Sequence, residues 1–152
     1  MLVASNRYDY SDVRNSYGTF ENGIGNGGGV FQRGGTVRNC IIARNSCGDT
    51  NQGGVNAGPE DLVLYRDTLL VANTCAPEAP EGNGNIRLAP VFKDAENGDY
   101  HIGLSSPTVG AGAYQEWMDG AFDLDGEIRV LGRAVDMGCY ETRLPGTLII
   151  IK

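Results

Sequence analysis

Two arginines, each followed by a residue with a side-chain oxygen, recur in matched surroundings. Arg38 and Asn39 lie in Val37-Arg-Asn-Cys-Ile-Ile-Ala-Arg-Asn-Ser-Cys47, and Arg66 and Asp67 in Tyr65-Arg-Asp-Thr-Leu-Leu-Val-Ala-Asn-Thr-Cys75, offset by 28 residues. Stacked outward, they form a ladder of cations and carboxylates, the equipment of a polysaccharide lyase: a basic group to take a sugar proton, and acids to hold Ca²⁺ against a uronate. The same ladder serves as well as a solvated row of weak ion pairs. Asp123 and Asp125, with Asp119 and Glu127 near, have the carboxylate density of a Ca²⁺ loop but not its full twelve-residue pattern. An Asx turn accounts for them equally. Trp117, Tyr8 and Tyr10 are flat apolar rings in polar stretches, suited either to stacking on sugars or to packing down on the fold. His101 is the single histidine, and no nucleophile or acid at an evident spacing enlists it. Hydrolysis of a glycoside needs two carboxylates facing each other across the bond, and spacing does not select which of the 19 acids do so.

Such residues need a scaffold, and the repeat predicts one. Asn26-Gly-Gly-Gly-Val30 and Asn51-Gln-Gly-Gly-Val55 echo each other upstream of the two arginine stretches. Short apolar runs bounded by Gly, Asn and Asp indicate strands, and recurrence every 25 to 28 residues indicates a solenoid whose coils bury their apolar faces only by stacking. The 23 glycines lack a collagen period and mark tight corners. We therefore expect an all-β solenoid. Its coils occupy residues 1–85, with repeats near 26–47 and 51–75, and a C-terminal cap region covers 86–152. The stretch Leu2-Val-Ala-Ser-Asn6 resembles a coil begun partway, and Asn45 and Asn73 are expected to stack at one corner. In that register Cys47 and Cys75 lie one coil apart, within reach of a disulfide, or else simply stack in the core. A bridge there would imply an oxidising compartment.

The net charge of −7 argues against nucleic acid and anionic lipid as partners, since both call for a basic face. The four cysteines have no CxxC spacing and no histidine at metal-ligand distance, which argues against zinc. The N-terminus lacks the charge and apolar run of a signal peptide, and the tail Leu144 to Lys152 is too short to span a membrane.

Residues 86–141 carry Leu88-Ala-Pro-Val-Phe92, Asn97-Gly-Asp-Tyr-His-Ile102, Ser105-Ser-Pro107, Gly110-Ala-Gly112, Asp123-Leu-Asp-Gly126, Arg129-Val130 and Val135-Asp-Met-Gly-Cys-Tyr-Glu141. In this order they resemble the C-terminal end of right-handed parallel β-helix proteins of the choice-of-anchor Q type, and the resemblance implies that the solenoid is a right-handed parallel β-helix, pectate-lyase-like in architecture. Ala89 stands where that family usually has Asp, Val109-Gly110 where it has Ile-Asp, and Cys139 where it has Ala. The resemblance implies a bacterial, secreted or cell-surface setting and no common reaction.

The expected function is thus a non-catalytic segment of a surface protein, a stalk or a face for a polysaccharide or a partner protein. The alternatives are a polysaccharide lyase or glycoside hydrolase working in a groove, with weak catalytic candidates Arg38, Arg66 and Asp67, and a module self-associating end to end through exposed strands. No cofactor is expected beyond Ca²⁺ at Asp123 and Asp125.

Overall fold

The computed structural model describes residues 2–4, 7–9, 29–32, 34–48, 58–59, 61–64, 70–130 and 134–143, with backbone alone at 2–4, 7–9, 46–48, 58–59, Phe31 and Val63. Eleven short strands run in chain order: β1 (Leu2–Ala4), β2 (Arg7–Asp9), β3 (Val30–Gln32), β4 (Thr36–Arg38), β5 (Ile41–Ala43), β6 (Ser46–Gly48), β7 (Gly58–Pro59), β8 (Leu62–Leu64), β9 (Leu70–Ala72), β10 (Phe92–Asp94) and β11 (Asp99–Ile102). Single 3₁₀ turns occupy Ala95–Asn97 and Glu116–Met118.

These strands do not build the expected parallel β-helix. They fall into five separate sheets of two or three strands, none of them closed. Parallel pairs form between β1 and β5, β2 and β6, β3 and β8, and β4 and β9, and each stops at two parallel strands. The third strand on β6 is β7, which joins antiparallel, and β10 and β11 make an antiparallel hairpin. Beyond β5 the row through Ile41 continues only as single-residue bridges to Cys75 and from there to Ile86. A solenoid needs three or more equivalent coils stacked in one register. Here the parallel pairs remain in separate small sheets, so no continuous stack forms among the described residues.

The core lies on both sides of β5. Alternate residues of a strand point to opposite faces, and Ile41, Ile42 and Ala43 are all buried. Ile42 packs with Cys40, Leu62, Val71, Ala76 and Ala79. Ile41 and Ala43 pack on the other side with Cys75, Ile102 and Met137. The second cluster ties the strands before residue 80 to the turn-rich segment after it. Gly138 closes tightly over this junction: its φ is +102°, and a Cβ there would sit 2.9 Å from Ile41 Cδ1. In this segment Ile102, Val135 and Met137 are buried, whereas Leu104 and Ile128 are exposed.

The chain does not run straight from β4 into β5, because Asn39, whose φ of +50° is left-handed, turns it between them. Asn73 adopts the same conformation, with φ +46°. Asn39 and Asn73 therefore occupy equivalent corners. Asn45, expected at that place, is instead fully buried and donates its backbone N–H and side-chain amide to Asp61 Oδ1 at 2.7 and 2.8 Å.

Candidate functional site

Arg38 and Trp117 meet in one shallow groove. Trp117 sits in the turn Glu116–Met118, whose neighbour Met118 is buried at 1% exposure and anchors it. With Met118 inward, the adjacent side chain turns outward, and Trp117 is 65% exposed. Its ring is nevertheless held, because the indole Nε1–H donates to Gln115 Oε1 at 3.0 Å. Arg38 ends β4 and is exposed, and the Cys40 thiol donates to its carbonyl oxygen at 3.0 Å. Asn39 then joins the two elements. Its amide donates to Ala113 O at 2.8 Å, and its Oδ1 accepts the Ala113 N–H at 2.8 Å. The groove of about 480 Å³ is lined by Thr36, Val37, Arg38, Cys40, Gln115 and Trp117. No carboxylate lines it among the described residues.

A second groove, of about 380 Å³, includes His101, Asp125, Glu127, Tyr140 and Arg143. His101 lies on β11, and Asp99, two positions earlier on the same strand face, takes its ring Nδ1. Asp99 Oδ1 also accepts the His101 backbone N–H at 3.0 Å. The other ring nitrogen, Nε2, lies 2.7 Å from Asp125 Oδ2. Tyr140 stacks against the imidazole with ring centroids 4.0 Å apart and planes at 26°. The hydrogen bond to Asp99, and then the one to Asp125, raise the imidazole above its ordinary pKa. The same bond from His101 holds Asp99 below the usual carboxylate value. With both nitrogens engaged by carboxylates, the ring has no lone pair facing a substrate. It is a strut between β11 and the turn at Asp125.

That turn is built by Asp123. Its Oδ1 accepts the N–H groups of Asp125 and Glu127 at 2.9 and 2.8 Å, and its Oδ2 accepts that of Glu141 at 3.0 Å. This is the Asx-turn arrangement, in which both carboxylate oxygens accept backbone N–H groups. No group of three or more potential ligands is gathered for a metal among the described residues. Behind the turn, Arg129 and Glu141 are buried together, Nε lying 3.2 Å from Oε1. The contact has ion-pair distance without hydrogen-bond alignment. Burial pushes the Glu141 carboxyl up to about 7, outweighing the pull of Arg129. Asp136 accepts backbone N–H groups from Gly110 and Thr142 at 2.5 and 2.6 Å, a structural role.

In β4, Arg38 pairs with Ala72, while Arg66, Asp67 and Tyr10 fall outside the described residues. Tyr8 pairs through its backbone with Cys47. Cys75 is a free, buried thiol, its pKa pushed up to about 11 by burial. Its neighbours across the sheet are Ile41 and Ile86, so it does not bridge to Cys47. Reading by spacing missed the carboxylates around His101. The Asp99-x-His101 pattern on a strand was a usable signal for the first; Asp125 comes from a distant turn and had none.

None of the protein-family models, curated proteins or solved structures compared with the chain matches it. Functional inference therefore rests on the geometry of these two grooves.

Proposed function

We propose that the protein is a non-catalytic glycan-binding module, with the groove between Trp117 and Arg38 as its binding face. The observation that carries this reading is Trp117: an indole that is largely exposed yet fixed in orientation by Gln115. An aromatic ring held flat to solvent presents its apolar face to the C–H face of a pyranose, and the neighbouring polar groups take hydroxyls. Holding the ring in advance reduces the ordering cost of binding. Covering on the order of 80 Å² of apolar ring yields about 2 kcal/mol, so a single sugar binds weakly and an oligosaccharide at about millimolar strength.

Catalysis is disfavoured by what the residues are doing. Among the described residues no acid lines the groove of Arg38, His101 is engaged at both nitrogens, and Asp123 accepts backbone N–H groups in its turn. A secreted or cell-surface setting, where polysaccharides are met, belongs to the same proposal.

The test is retention in native gels cast with soluble polysaccharides. The native protein is expected to be slowed by at least one of them, and Trp117→Ala to run as in a blank gel. Equal mobility of the two proteins in every gel would overturn the reading.

A further inference from the structure

We propose that the sugar taken at Trp117 is anionic, a uronate whose C6 carboxylate pairs with Arg38. The inference rests on the glycan reading above and adds the chemical class of the ligand. Its basis is the state of Arg38. Arg87 pairs with Glu81 at 3.6 Å, Arg129 with Glu141 at 3.2 Å, and Arg143 with Glu127. Arg38 and Arg44 have no ion pair among the described residues, in a chain of net charge −7 with 19 acids, and of these two Arg38 lines the groove of Trp117. It stands exposed at the end of β4, with its carbonyl fixed by Cys40 and its strand fixed against the Trp117 turn by Asn39.

A planar guanidinium offers a fork of donors that matches a carboxylate. A ring stacked on Trp117 places its exocyclic C6 group at the rim of the stacking face, and Arg38 is the cation lining that groove. The Gln115 amide oxygen is taken by the indole, which leaves its NH₂ as a donor for a ring hydroxyl.

The acidic surface opposes an anion only from a distance. At physiological salt, charges beyond about 8 Å are largely screened, whereas a contact pair in the groove is not. The local cation therefore decides the preference. An exposed pair adds a modest increment, about five-fold in affinity.

The experiment titrates Trp117 emission, the chain having one tryptophan, with two tetrasaccharides of the same β-1,4 linkage, one of glucose and one of glucuronate. The glucuronate tetramer is expected to bind about five-fold more tightly, and Arg38→Gln, whose side chain is exposed and whose folding is checked by its melting temperature, is expected to bind the two equally. Equal affinity of the native protein for both, or a preference that persists in Arg38→Gln, would overturn the uronate inference while leaving the glycan face standing. Binding of neither tetramer at concentrations up to about ten millimolar would overturn both.

Discussion

Asn39 and Ala113 hold each other reciprocally, the Asn39 amide donating to the Ala113 carbonyl and accepting the Ala113 N–H, each at 2.8 Å. Arg38 immediately precedes one partner, and Gln115 and Trp117 closely follow the other. This pair of bonds therefore sets the spacing of the proposed binding face, and it is formed by a residue whose left-handed backbone most side chains resist.

Asn39→Ala removes both bonds and leaves an alanine at φ +50°, so it is expected to lower stability by about 2–4 kcal/mol in urea denaturation. Asn39→Gly keeps the backbone conformation without strain and isolates the side-chain share. Both variants are expected to weaken retention on polysaccharide although Trp117 and Arg38 are untouched. Full retention in either would detach the clamp from the binding face.

The His101 strut makes stability depend on pH with a definite sign. Its folded pKa is raised above 6.5, so the stabilisation is complete below that value and is lost as pH rises through the folded pKa. Asp99 is lowered from 3.8, so its share is present above 3.8 and is lost as pH falls through the folded value. Melting temperature followed from pH 3 to pH 9 is expected to fall on both sides of a maximum. His101→Gln, which does not titrate, is expected to flatten the alkaline side.

Glu141 adds a slope in the same direction. Its folded pKa of about 7 exceeds the ordinary 4.5, so the folded state holds the proton more tightly and stability declines between those values as pH rises. Arg129→Met leaves Glu141 buried without its cation. Loss of one partner of a buried pair costs about 3–5 kcal/mol. Here the loss is expected to be smaller at pH 5, where the acid is protonated, than at pH 8. Denaturation curves at the two pH values check this, and equal losses would contradict it.

Asp123→Ala deletes three backbone-directed hydrogen bonds and is expected to cost about 1–3 kcal/mol. Because the turn also positions Asp125 for His101, the variant is expected to lose part of the alkaline dependence described above. Thermal melts of the single and double variants with His101→Gln measure this coupling, which is absent if the two sites are independent.

The sequence carried local information well and pairing information badly. Ile41 and Ile42 read as strand residues because they are β-branched and bounded by corner residues, and they form β5 at the centre of the core. Matching Asn45 with Asn73 followed residue identity, whereas backbone register makes Asn39 the equivalent of Asn73. The same slip placed Arg38 over Arg66 and Cys47 over Cys75, and from it came both the solenoid and the disulfide. Trp117 was legible as a stacking candidate from its polar surroundings. Its companion was not, because Arg38 and the Trp117 turn meet only through the long-range Asn39 clamp. Spacing gave His101 no partner acid, because Asp99 lies on its own strand face and Asp125 comes across a turn, arrangements that linear order hides.

The most direct measurement is acrylamide quenching of Trp117 emission with and without saturating oligosaccharide. An indole that is 65% exposed in the free protein and covered by a sugar ring in the complex is expected to become markedly less accessible to the quencher, while Arg38→Gln keeps part of the protection. Unchanged quenching on addition of an oligosaccharide that the native protein demonstrably binds would place the glycan elsewhere and contradict the account.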